Sequence, residues 1–181
     1  METTFPQLLV QHASSRGAAP AMREKEYGIW QTLTWAGLAG LVEHIACGLH
    51  LAGLARGEHM VMVGGNRPRL YATMLAAQSL GAIPVPLYQD AVAAECVFPI
   101  NNADVRFAFA EDQEQVDKLL EVRAQCPQLG AIYFDDPRGL RNYSEPGLAS
   151  LESLIETGKA FARQNPGFFQ AEIAKGNPHD V

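Results

Sequence analysis

GGNRP, residues 64–68, is the part of this 181-residue chain whose residue types could do chemistry. Two glycines follow the short apolar run Val61–Val63, and Pro68 can open a helix. Backbone N–H groups at such a helix start, with Arg67 beside them, could hold an anion. The turn is not a phosphate-loop signature, because neither GxGxxG nor the eight-residue loop ending in Lys-Ser or Lys-Thr occurs. The competing reading is a tight strand-to-helix connection with solvated arginines. Glu111, Asp112 and Glu114 form an acidic cluster, but they fall where a helix begins and carboxylates favour the helix dipole, which outweighs a metal site. His44 and His50 are six residues apart on one predicted helix, too far apart in phase to share a metal. Ser14 and Ser15 lack the glycine-flanked elbow of a hydrolase nucleophile, and no Ser, His and acid set has an interpretable spacing. Trp30 and Trp35 are expected to pack in a hairpin and core rather than stack on bases. The residues thus supply no catalytic group and no metal-ligating set.

Composition narrows the function classes further. Lys and Arg number 14 against 20 Asp and Glu, and a net charge of −6 argues against a phosphate-backbone partner. Cys47, Cys96 and Cys126 have neither zinc-site nor disulfide-framework spacing and read as buried free thiols in a reducing compartment. No stretch approaches the roughly 20 apolar residues of a membrane span, and METTFPQLLVQHA lacks a basic region followed by a long apolar run, so neither secretion nor membrane insertion is expected.

The elements that position the GGNRP turn follow from periodicity. Phe5, Leu8, Leu9 and the His12–Ala13 step share a helical face, stopped by Gly17 and Pro20. Ala21–Lys25 and Ile29–Leu33, joined at Glu26–Gly28, form a hairpin. Thr34 caps a helix with apolar positions at Leu38, Leu41, Val42, Ile45 and Leu49. After the strand Val61–Val63, Asn66 is expected to cap a helix whose buried face is Leu70, Met74 and Leu80, with Tyr71 and Leu75 beside them. On that reading Met74→Ala costs about 2 to 5 kcal/mol, whereas Arg69, on the opposite side, tolerates Ala within about 0.5 kcal/mol. Ile83, Val85 and Leu87 make an edge strand, because Pro84 and Pro86 each lack a donor. A kinked segment around Ala91–Asn102 is interrupted by Pro99. Val105–Phe109 is a strand, Asp112 caps Gln113–Gln125 with Gln115 placed for a capping box, and Ala131–Phe134 is another strand. Asp135–Gly147 reads as a loop, Leu148–Phe161 as a helix and Pro166–Ile173 as a short successor. KGNPHDV reads as a turn at the entrance to a further strand. The fold class is α/β: an open, mostly parallel sheet flanked by helices, with a small accessory β-hairpin.

The runs YGIWQTLTW, CGLHLAGLARGEHMVMVGGNRPRLYATMLAAQSLGAIPVPLYQD and VRFAFAEDQEQVDKLLE resemble the N-terminal subdomain of the adenylate-forming superfamily, in its bacterial long-chain acyl-CoA synthetase-like branch. The resemblance covers nearly the whole chain. It implies a two-step ligation, in which a carboxylate attacks ATP to give an acyl-adenylate and pyrophosphate, and the CoA thiol then displaces AMP. That family's Ser, Thr and Gly-rich phosphate loop, aromatic-Gly-x-Thr-Glu segment, ribose-binding Asp, hinge and C-terminal Lys have no counterpart in residues 1–181. The resemblance therefore implies one N-terminal subdomain, 1–181, cut just before the phosphate loop. No catalytic residue carries over. The fragment is expected to bind no cofactor itself, with ATP, Mg and CoA belonging to the full-length enzyme. Its expected partners are the remainder of its own chain and, in the intact enzyme, fatty acid, ATP and CoA. It would be cytoplasmic, the intact enzyme at most peripheral to the inner membrane.

In an open parallel sheet, ligands collect outside the carboxyl ends of the strands. That rule makes Gly64, Gly65, Asn66, Arg67, Tyr88, Gln89 and Asp90 the expected neighbours of the substrate crevice. The reading from another class is a free-standing flavodoxin-like binding or interaction module, using the same crevice or the sheet edge near Pro84.

Overall fold

The computed structural model describes residues 3–180. Five short apolar runs form a parallel sheet in the order β4-β3-β5-β6-β7, comprising β3 (His59–Val63), β4 (Ile83–Leu87), β5 (Phe107–Ala110), β6 (Ala131–Phe134) and β7 (Leu148–Ser150). Strand side chains alternate between faces, so Met60 and Met62 enter one core while Val61 and Val63 enter the other. The first core is closed by α1 (Phe5–Arg16), α2 (Trp35–Leu51), α3 (Pro68–Ser79), α6 (Leu151–Gln164) and α7 (Phe168–Ala174). The second is closed by α4 (Ala93–Asn102) and α5 (Gln113–Val122). The hairpin of β1 (Pro20–Glu26) and β2 (Ile29–Thr34) is a separate antiparallel sheet. This is the α/β architecture expected from the alternation of strands and helices.

The Pro84 and Pro86 reading holds in detail. Strand β4 is the sheet edge, and Ile83 N–H donates inward to the Glu58 carbonyl at 2.8 Å. Successive backbone groups alternate in direction, so Pro84 and Pro86 occupy the outward positions, and that edge offers carbonyls but no donors.

Several local expectations are corrected. Leu148 begins a strand rather than a helix. Gly147, at φ +78°, turns the chain so that its carbonyl accepts from Ile132 N–H at 2.9 Å, and the Ser150 side chain caps α6 three residues later. Asn66 is not the cap of α3. That position belongs to Arg67, and the Asn66 Oδ1 instead accepts from the Tyr71 hydroxyl at 3.0 Å. The buried face of α3 consists of Leu70, Ala72, Thr73, Ala76, Ala77 and Ser79, with Leu80 just past its end, so the helix sits close to its neighbours on small residues. Met74 and Leu75 are only half-buried and Tyr71 is exposed. Helix α4 continues through Pro99 as one element. Asp112 caps α5 by accepting from Gln115 N–H at 3.2 Å, but the Gln115 side chain turns to Lys118 instead of completing a box. Phe5 is exposed, as is Trp30, whereas Trp35 packs against His12 with tilted rings whose centroids are 4.6 Å apart. In the final turn, Asn177 N–H donates to Asp180 Oδ2. Val181 lies outside the described residues.

Candidate functional site

The carboxyl ends of β3, β4, β5 and β6 place four chain segments along one rim of the sheet: Gly64–Arg67, Tyr88–Asp90, Glu111, and Asp135 with Asp136. Glu111 immediately follows the buried run FAFA of β5, and its N–H donates to the Val63 carbonyl at 3.0 Å, which brings it against the GGNRP turn. Its Oε1 accepts from Arg67 Nε at 2.6 Å, and its Oε2 accepts from the Gly65 N–H. A β-carbon at Gly64 would lie 2.6 Å from the Glu111 Cβ, and Gly64 adopts φ +157°, so glycine is needed for this close approach. A β-carbon at Gly65 would meet Gln89 Oε1 at 3.0 Å, so the Gln89 side chain reaches over the same turn. Lys118 Nζ donates to the Gln89 carbonyl at 2.7 Å and pairs with Glu114 at 2.7 Å, tying the β4 loop to α5.

Of the seven expected crevice neighbours, the structure gathers Gly64, Gly65, Arg67 and Gln89 around Glu111. Asn66, Tyr88 and Asp90 are exposed on the turns themselves. Asp112 and Glu114 serve α5 as a cap and a first-turn acid, but Glu111 does something else. It acts as the built-in anion of the turn, and its position directly after an apolar strand, level with Gly64, is the signal that would have found it. Among the described residues no group of three His, Cys, Asp or Glu side chains is arranged to hold a metal ion. His50 lies against Phe168, with ring centroids 4.6 Å apart.

A second set of groups at the rim escaped sequence reasoning. Arg69 bridges Asp135 at 2.9 Å and Glu152 at 2.8 Å, joining α3, the end of β6 and the start of α6. Only a third of its side chain is exposed, so the expectation of a free surface arginine fails. Burial raises the pKa of Asp135, against the opposing pull of Arg69. Next to it, the hydrogen bond from Arg138 holds Asp136 below its ordinary range. Between this rim and the hairpin lies a cleft of about 620 Å³, lined by Met22, Glu24, Arg67, Arg69, Asp136 and Arg138 among others. Its two walls are of opposite charge where Glu24 faces Arg67 at 3.9 Å.

The chemistry of this rim is that of an internally satisfied anion site. The donors a phosphate would seek, Gly65 N–H and the Arg67 guanidinium, already hold the Glu111 carboxylate, and an external anion would have to displace it.

Residues 9–165 match the family described as AMP-binding enzyme. The chain belongs to this AMP-binding enzyme family. It is similar to the indoleacetate–CoA ligase of Aromatoleum aromaticum, 36% identical over 156 residues, an alignment covering 84% of this chain and 28% of that protein. It is also similar to a long-chain-fatty-acid–CoA ligase of Rattus norvegicus, 28% identical over 119 residues, covering 66% of this chain and 18% of that one. Among solved structures, the acetoacetyl-CoA synthetase from Streptomyces lividans shares the fold, with a TM-score of 0.73 and 21% identity over 83% of this chain and 24% of its own. The chain thus spans only 18 to 28% of the length of these relatives. The parallel sheet and small hairpin are those of acyl-CoA synthetases.

Proposed function

We propose that this chain is the N-terminal α/β unit of a long-chain fatty acyl-CoA ligase and does not form acyl-adenylate by itself. The observation that carries the second half is the Glu111 carboxylate seated in the GGNRP turn. It uses up the Gly65 N–H and Arg67 Nε that could otherwise cradle a phosphate. Residues 1–181 also lack the family's Ser, Thr and Gly-rich loop and its C-terminal Lys. In this reading ATP, Mg and CoA are held by the remainder of a longer protein, and residues 1–181 act as one folding unit beside it. The Gly64–Arg67 and Tyr88–Asp90 turns then form one wall of the acyl and nucleotide crevice, positioned by the sheet rather than reacting. The long-chain assignment rests on the match to the rat ligase, and the family's substrates supply fatty acid and ATP as partners. The protein would work in the cytoplasm, and no helix among the described residues is long and apolar enough to cross a membrane.

A free-standing module binding through its sheet edge is the less favoured reading, because the outward positions of β4 are Pro84 and Pro86 and cannot donate to an added strand. Translation of the gene past the Val181 codon tests the choice. A Ser, Thr and Gly-rich loop within a few residues is expected, and a stop codon there would overturn the ligase-unit reading.

A further inference from the structure

The cleft beside the rim has one wall packed into the fold and one that is largely free. The packed wall is the rim itself, where Arg67 holds Glu111 and Arg138 holds Asp136. The other wall is the hairpin, a two-stranded sheet of its own. At its base Ala21, Met22 and Leu33 pack against the first core, and Trp35 N–H donates to the Ala19 carbonyl at 3.1 Å, drawing the two ends together. Beyond that base, Arg23, Lys25 and Glu26 on β1 and residues 29–32 on β2 are exposed. The strand register shifts between Pro20 and Met22, close to where the free half leaves the packed half. Irregularities of this kind break the ladder locally and bend the strand, and a two-stranded hairpin supplies little rigidity of its own.

The two walls carry opposite charges. Glu24 and Glu26 line the hairpin side, and Arg67 and Arg138 line the rim side. Glu24 lies 3.9 Å from Arg67 Nη1, at the limit of an ion pair, and among the described residues this is the one ion pair between hairpin and rim. The hydrogen bond to Asp136 raises the pKa of Arg138, and Glu26 adds to that rise from the hairpin. Arg67 meanwhile keeps its Nε on Glu111 at 2.6 Å. One guanidinium thus serves two carboxylates, one fixed at the end of β5 and one on the hairpin.

We propose that the hairpin is a flap, hinged at the irregularity between Pro20 and Met22, that closes over the cleft by drawing Glu24 and Glu26 onto Arg67 and Arg138. Arg67 is the latch. Glu111 fixes its Nε against the sheet, which leaves its terminal nitrogens for the hairpin carboxylate. The closed flap covers the rim at Arg67, and the open flap exposes it. Arg23 and Lys25 alternate with the acids along β1 and do not line the cleft, so they take no part. Ion pairs in contact with water are weak and screened by salt, which makes closure reversible and dependent on ionic strength. The inference stands on the hairpin and the cleft and does not depend on the ligase reading.

The test places spin labels at Trp30→Cys, paired with Lys25 on the face away from the cleft, and at Asn142→Cys, exposed in the loop after Arg138. Their separation is read by pulsed electron paramagnetic resonance. The three native cysteines are buried and stay unlabelled. At about 10 mM salt, where charges act over about 30 Å, the distance distribution is expected to be short and narrow. At about 1 M salt, where that reach falls to about 3 Å, it should lengthen and broaden. Glu24→Gln with Glu26→Gln should give the long, broad distribution even at low salt. Arg23→Gln with Lys25→Gln should leave the response to salt as it is. Far-UV circular dichroism checks that each variant is folded. A separation indifferent to salt, or a Glu24→Gln, Glu26→Gln protein that behaves as wild type, overturns the flap. So does an equal response to the Arg23 and Lys25 changes, which would assign the movement to the net charge of −6 and not to the latch. A second label pair, Arg23→Cys with Thr32→Cys across the two strands, separates hinging from melting. Its distance should hold at every salt concentration, and a lengthening there would likewise overturn the proposal.

Discussion

The Glu111 carboxylate lies 2.6 Å from Arg67 Nε and also accepts from the Gly65 N–H, so the acid that ends β5 is the counter-ion of the turn that follows β3. Replacing it with Ala leaves a half-buried N–H without its acceptor. Glu111→Ala is expected to cost about 1 to 3 kcal/mol, the penalty for an orphaned buried polar group. Arg67→Ala should cost less, because over half of its side chain is in water. Urea denaturation of the two variants checks the order, and a larger loss for Arg67→Ala would place the energetic weight of the turn on the arginine.

Arg69→Ala removes the shared partner of Asp135 and Glu152. The expected loss is about 1 to 3 kcal/mol, below the range for fully buried pairs because a third of the Arg69 side chain remains solvated. A loss under about 0.5 kcal/mol on denaturation, the range of an ordinary surface site, would contradict the bridging role.

Asp135 also sets a pH dependence. Burial raises its folded-state pKa, so the native protein holds that proton more tightly than the unfolded chain does. The resulting stability is fully present below the ordinary Asp pKa, about 3.9, and is lost as pH rises through the raised folded value. Asp135→Asn lacks this term, so the stability of wild type relative to the variant should fall over that rise. Thermal melts of both proteins across the acid range measure it, and a difference that grows with pH would reverse the sign.

Helices α2 and α6 cross where Gly48 and Gly158 meet. A β-carbon on Gly158 would run into the His44 carbonyl and the Gly48 nitrogen, and one on Gly48 into the Leu154 carbonyl. Gly158→Ala should therefore destabilise by about 1 to 3 kcal/mol or more, although Ala is the better helix former. A stabilised variant on thermal melting would show that the two helices are not in contact there.

Burial pushes the thiols of Cys47, Cys96 and Cys126 up, that of Cys47 to about 11 with help from Glu43. Thiolates are the reactive form. A thiol reagent at pH 8 is expected to modify none of the three quickly in the native protein and all three after denaturation. Rapid labelling of Cys47 without unfolding would contradict its burial at 0% exposure.

Four of the five strands of the sheet were legible because each is a short apolar run bounded by turn residues, and Met60, Val61, Met62 and Val63 divide alternately between the two cores. The edge position of β4 followed from Pro84 and Pro86. Strand β7 was not legible, since Leu148 fits the helical period of Leu151, Leu154 and Ile155, and only the pairing with β6 distinguishes it. The face of α3 was misread for a similar reason. Large side chains draw the eye in a sequence, whereas the buried positions next to Leu70 are Ala72, Thr73, Ala76 and Ala77, selected by how closely the neighbouring elements approach. At the candidate site, the glycines and Arg67 stood out by type. Glu111 was read only as one acid of a helix start, and Asp135 and Glu152 did not stand out, because their partners are 46, 66 and 83 residues away in sequence.

Pyrophosphate release from ATP with fatty acid and CoA tests the central claim most directly. The purified chain should release none above background, and release should appear when the same residues are joined to the remainder of a full-length ligase. Turnover by residues 1–181 alone that survives stringent purification and disappears in Arg67→Ala would contradict the account.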